Sequence, residues 1–182
     1  LEVLSQEGCY ADFTFPSWKK RSQPRMLNQV YYAKDDPKPK SYDRGEPARV
    51  GAVESEGLLM VPGPLVPFIR RGERLPRLGM DDGDLAAYWP YEPVRMDRWL
   101  RAGISLPGRA DRVFIKLHCH GCADWGRFAL LDRELDALFA DLEARFNDGR
   151  HYRLHYVTLR ELYNVVKATE AGADCSANEA RD

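Results

Sequence analysis

Two histidines and two cysteines fall within five positions, His118-Cys119-His120-Gly121-Cys122, after the run Val113-Phe114-Ile115-Lys116-Leu117. They are half of the chain's four histidines and half of its four cysteines. Imidazoles bind divalent metals and exchange protons near neutral pH, whereas thiolates bind zinc or form redox pairs. Three roles therefore compete: a metal site, an acid–base site, or histidines simply satisfied by hydrogen bonds. Period-two geometry divides the cluster into two faces. Val113, Ile115, Leu117 and Cys119 form an apolar face suited to packing under helices. Phe114, Lys116, His118 and His120 form the other, which suits an aqueous cleft or barrel interior, because a lysine and two histidines are costly to bury without partners. Cys119 and Cys122 have C-x-x-C spacing, but structural zinc needs four ligands, and Cys9 and Cys175 are isolated. A redox dithiol belongs at the start of a helix, which Trp125-Gly126 does not resemble.

The same parity finds companions. Asp12 and Thr14 share the polar face of a strand over 9–15, and His155 lies with Arg153 on one face of a strand over 152–157. If these strands are parallel neighbours, Asp12, His118, His120 and His155 converge. A carboxylate with two or three imidazoles is what metal-assisted hydrolysis uses. Each residue also has a plainer role: Asp12 capping a turn, His155 packing against Tyr163.

Positioning these groups requires a scaffold. The second half alternates helix (93–102), strand (113–117), helix (131–147), strand (152–157) and helix (158–172). That alternation predicts an α/β fold with parallel strands and crossover helices, its ligands at the strands' carboxyl ends. Thr158 and Glu161 form a capping box for the last helix. The first half predicts strands over 9–15, 26–33 and 58–61. A long loop spans 34–53, and a proline-punctuated arm spans 62–76. The arginines 70, 71, 74 and 77 read as a solvated face, and Asp81-Asp82-Gly83-Asp84 as a turn. The polar tail 173–182 is expected to be disordered.

At 182 residues the chain suits a single domain. Its 28 acidic and 27 basic residues nearly cancel, which argues against nucleic acid or an anionic membrane as partner. No apolar stretch approaches the roughly 20 residues of a membrane span, and no signal peptide is visible. Four cysteines without a repeated pattern argue against a disulfide framework. The opening residues read as the end of a helix closed by Gly8, so the chain is expected to begin inside a larger domain, with part of its site upstream.

Several segments resemble a bacterial group of polysaccharide deacetylase-like proteins. They are Cys9-Tyr10-Ala11-Asp12-Phe13-Thr14-Phe15-Pro16-Ser17, Asn28-Gln29-Val30-Tyr31-Tyr32-Ala33, and Lys38-Pro39-Lys40-Ser41-Tyr42-Asp43-Arg44-Gly45. Lys116-Leu117-His118-Cys119-His120-Gly121 and Arg153-Leu154-His155-Tyr156-Val157-Thr158 also match, so the resemblance spans nearly the whole chain. It implies an incomplete (β/α) barrel over 1–172, with 34–92 as a loop-rich insertion. It also implies metal-dependent removal of acetyl groups from a carbohydrate polymer. Active members hold a divalent metal, usually zinc, on one Asp and two His, with a second Asp as base and a late-strand His as acid. His120, then His118, resembles that acid, with Asp12 helping to organise the site. Asn28, Lys116 and His155 are the substrate-binding candidates. The paired aspartates and H-x-x-x-H motif expected early in the family are not in this sequence, and the group usually carries other residues at positions 119 and 122. A catalytically silent carbohydrate-binding or scaffold member and a small zinc-binding module are the alternatives.

Overall fold

Strands occupy the first half of the chain, and all the longer helices lie in the second. The computed structural model describes residues 1–182 apart from 18–19, 37–40, 53–55, 71–74 and 132. Arg71 and Arg74 of the basic cluster, and the Lys38-Pro39-Lys40 motif, thus lie outside the described residues. After a short helix α1 (Glu2–Gln6), strands β1 (Ala11–Asp12), β2 (Tyr31–Ala33), β3 (Gly45–Pro47) and β4 (Leu58–Met60) form a sheet in the order β1-β4-β2-β3. β4 is parallel to β1 and antiparallel to β2, which pairs antiparallel with β3. Every residue of the two inner strands is buried, which accounts for their unbroken apolar triplets. A separate antiparallel hairpin joins β5 (Val66–Arg70) to β6 (Arg77–Asp81). The helices α2 (Pro93–Arg101), α3 (Asp124–Leu131), α4 (Arg133–Phe146), α5 (Leu159–Glu170) and α6 (Ala177–Ala180) follow.

The fold is mixed α/β with small sheets, and the described residues form no closed barrel. The expected strands over 113–117 and 152–157 carry no ladder; in the first, the Phe114 N–H donates to the Ile104 carbonyl at 2.7 Å, and a parallel bridge between Asp84 and His118 follows its end. Packing explains why the first of them alternates. Phe114 enters a core with Val30, Leu59, Leu106 and Val166, while Ile115 and Leu117 pack on a second core of Met96, Trp99, Leu138 and Leu142. Both sides of the segment are taken by side chains, so its period-two pattern records two cores rather than a sheet with a wet face.

Other boundaries shrink for local reasons. The strand over 9–15 contracts to β1 because the Asp12 carboxylate accepts from the Thr14 backbone N–H at 2.8 Å and its hydroxyl at 2.6 Å, turning the chain. The strand over 26–33 contracts to β2 because Asn28 takes a left-handed φ of 51°. The stretch 34–92, expected as an insertion, supplies β3, the central β4 and the β5–β6 hairpin. The tail expected to be disordered carries α6, capped by Ser176 and Glu179, with Ala177 and Ala180 on the first core. The Thr158–Glu161 capping box forms as predicted and is worth about 1 kcal/mol.

Candidate functional site

The loop between β6 and α2 passes beside the end of the central segment. The Gly83 carbonyl accepts from the His118 N–H at 3.1 Å, and the His118 carbonyl accepts from the Leu85 N–H at 2.9 Å. These bonds set Asp84 opposite His118. The loop is held from beneath by Arg95, which is fully buried on α2. Its guanidinium donates to the Asp81 carboxylate and to the carbonyls of Asp84, Trp89 and Pro90. A helix residue thereby fixes a loop that has no ladder of its own.

Asp84 is 4% exposed. Its Oδ2 accepts from the Tyr88 hydroxyl at 2.6 Å, and its Oδ1 lies 3.9 Å from His118 Nε2. That separation exceeds a hydrogen bond, and both Asp84 Oδ1 and His118 Nδ1 are buried without a hydrogen-bond partner among the described residues. Burial pushes the His118 imidazole below its ordinary pKa, while Asp82 and Asp84 pull it back up and Lys116 and His120 push it down. His118 is therefore neutral at pH 7, with carboxylates placed to favour the proton if it arrives. The His120 ring meets His118 edge-on at 6.3 Å and packs on Trp125 at 5.1 Å; Trp125 in turn meets Tyr88 at 5.3 Å.

The structure brings together only part of the expected set. His118 and His120 are neighbours, but His120 is exposed whereas the His118 side chain is mostly buried. Lys116 does not face a cleft. It is 6% exposed, and its ammonium donates to the carbonyls of Phe13 and Phe15 at 2.9 and 2.6 Å. Burial lowers its pKa to about 8, against a smaller opposite pull from Asp12. Asp12 spends its hydrogen bonds on Thr14 rather than on a histidine. Asn28 clamps the backbone of Leu65, donating to its carbonyl at 2.9 Å and accepting from its N–H at 2.7 Å. His155 lies 3.1 Å from Asn178 Oδ1, beside α6. The four-residue convergence is thus replaced by two histidines and a loop.

Asp82, Asp84, Tyr88 and Trp125 were not among the sequence candidates. Asp84 had one signal, the acidic Asp81–Asp84 stretch, which reads as a turn. Helix α3 was also missed. It begins two residues after Cys122, so the C-x-x-C pair does precede a helix, although burial raises the Cys119 thiol and disfavours a thiolate. Gly126 obscures that helix, and the site requires it: a Cβ there would meet the His120 carbonyl oxygen at 2.1 Å.

A divalent metal of the kind the resemblance implies needs a carboxylate and two imidazoles around one point. No group of three or more His, Cys, Asp or Glu among the described residues is arranged to hold one. No chemical step proposed for these residues runs through it. No helix among the described residues is long and apolar enough to cross a membrane. No family model matches the chain, and no curated protein or solved structure matches it.

Proposed function

We propose that the chain is the carboxyl-terminal part of a polysaccharide deacetylase-like hydrolase, in which His118 moves the proton during acetyl removal from a carbohydrate polymer. The observation that carries this is the Asp84–His118 pair: a mostly buried neutral imidazole facing a buried carboxylate whose near oxygen has no hydrogen bond among the described residues. Neutral His118 accepts a proton from the attacking water and returns it to the departing amine, and Asp84 stabilises the imidazolium in between. Tyr88 fixes the carboxylate by its hydroxyl. The 3.9 Å gap is one that closes or takes a bridging water when substrate is bound.

The finer fold in this proposal is an incomplete (β/α) barrel. Its support is the parallel β1–β4 pair and the parallel bridge between Asp84 and His118. His118 is preferred to His120 as the acid because the Asp84 carboxylate lies beside it.

The test is acetate release from an N-acetylated amino-sugar polymer by the chain joined to its upstream sequence. His118→Ala should lower turnover about 100- to 10,000-fold, the range for a lost acid–base group, and His120→Ala by less than about tenfold. Residues 1–182 alone should release none. Full turnover in His118→Ala would sink the assignment; sugar binding without turnover in the intact protein would mark a silent member.

A further inference from the structure

We infer that the outer half of the β5–β6 hairpin is a docking surface for an anionic phospholipid membrane. The hairpin is fixed at its base and free beyond it. Phe68 is covered by the Arg98 guanidinium at 3.9 Å and packs on Trp89 at 5.7 Å. A Cβ at its cross-strand partner Gly79 would meet the Phe68 ring at 2.6 Å. The next two rungs, Ile69 opposite Leu78 and Arg70 opposite Arg77, are exposed on both strands. Ile69 and Leu78 are 70% and 78% exposed, and Leu75, just before β6, is 74% exposed. Among the described residues, five large apolar side chains are at least 70% exposed, and this hairpin carries three of them. Aliphatic groups gathered in water at one place mark a surface that a partner covers.

The charges select the partner. Arg70 and Arg77 stand directly opposite each other, and like charges in that position destabilise a strand pair. Among the described residues, neither guanidinium has an ion pair or a hydrogen bond. An anion between them turns the repulsion into attraction. Two copies packed hairpin to hairpin would instead bring both arginine pairs together, which disfavours self-association. An acidic polypeptide would pair with the arginines, but it would also need pockets matched to Ile69, Leu75 and Leu78. A fluid bilayer covers projecting side chains without a complementary shape, and it supplies phosphates for the guanidiniums and acyl chains for the aliphatic groups. A hairpin entering the headgroup layer by its free end presents both faces to lipid, so the apolar and basic rungs need not share one. The near-neutral balance of the whole chain argues against such a surface only on average, and the hairpin departs from it locally. Since Phe68 already holds the base, docking orders little that was loose.

Residues 1–182 are sedimented with vesicles of phosphatidylcholine alone and of phosphatidylcholine with about 30% phosphatidylglycerol. Binding should saturate on the anionic vesicles and be about tenfold or more weaker on the neutral ones. Arg70→Gln together with Arg77→Gln should weaken it about 25-fold, at about 1 kcal/mol and hence about fivefold for each charge. Ile69→Thr with Leu78→Thr, which keeps strand-forming residues at exposed positions, should weaken it about tenfold. Leu131→Gln, at an 80% exposed position on α3, should change it by less than about twofold. No binding to the anionic vesicles, or equal binding by every variant, would overturn the surface. So would loss in the arginine variant alone with full displacement by inorganic phosphate, which would leave only an anion site. Tighter binding to soluble poly-glutamate than to vesicles would overturn it in favour of a peptide surface. A lipid-free dimer in sedimentation velocity, broken by the threonine pair, would overturn it in favour of a second copy. No turnover is read, so the outcome is independent of the hydrolase proposal.

Discussion

Asp81 and Asp84 are buried carboxylates three positions apart, and they are treated in opposite ways. Asp81 is fully enclosed and accepts from Arg95 at both oxygens, from Arg98, from the Trp99 indole and from the Gly83 N–H. Burial alone would raise its pKa, but these donors hold it below the ordinary carboxylate range. Asp84 accepts one phenol and keeps an oxygen turned towards a histidine. A saturated carboxylate is scaffold, since every lone pair is committed before any ligand arrives. An unsaturated one retains capacity for chemistry, at a cost in stability that the rest of the loop must offset.

The contrast breaks first at Asp81. Asp81→Ala strands Arg95 without its counter-charge in the interior and should cost about 3–5 kcal/mol in denaturant unfolding. A loss below about 1 kcal/mol would show that the carboxylate is not scaffold. Lys116 tests whether hydrogen bonds suffice without a counter-charge. Its acceptors are neutral carbonyls, and its pKa falls from 10.5 to about 8. Between those values the unfolded chain keeps a proton that the folded chain has released, so this group makes stability rise with pH across that window. Lys116→Met should flatten the rise in unfolding experiments from pH 8 to 10.5. At Asp84 the effect should move from stability to titration. Asp84→Asn should change stability by about 1 kcal/mol or less while lowering the His118 pKa further, because it removes a charge that raises it; an NMR titration of the imidazole reads this. An unchanged or raised value would separate the pair. The smallest effect belongs to Tyr88→Phe, about 0.5–1 kcal/mol for one exposed-side hydrogen bond, seen as a slight fall in melting temperature.

Helices were more legible than strands. Pro93 at the first turn of α2, the Leu138–Leu142–Phe146 stripe of α4 and the Thr158 cap of α5 are local signals, and each marks its element. The strands are two to five residues long, too short for periodicity to establish. β5 and β6 were hidden by Pro67, Pro76 and arginines, which resemble a solvated arm until Phe68 finds Gly79 across the hairpin. Residues 113–117 gave a true alternation with the wrong cause, because two cores imitate two faces of a sheet. In the site, His118 was visible by type, but its partner was not. Asp84 lies 34 positions earlier in the chain, and only backbone pairing brings it alongside.

The ammonium of Lys116 joins carbonyls 103 and 101 positions away. Those bonds require closure of most of the chain, and the entropy of closure grows with the loop. The β5–β6 hairpin and the α3–α4 pair close over far shorter spans and can order first. The Lys116 contact with Phe13 and Phe15 therefore forms late, after the shorter closure that pairs β1 with β4. Substitutions there should alter the unfolding rate more than the folding rate. Rising pH, by removing the proton from one buried amine, reaches the kinetics through that final docking step.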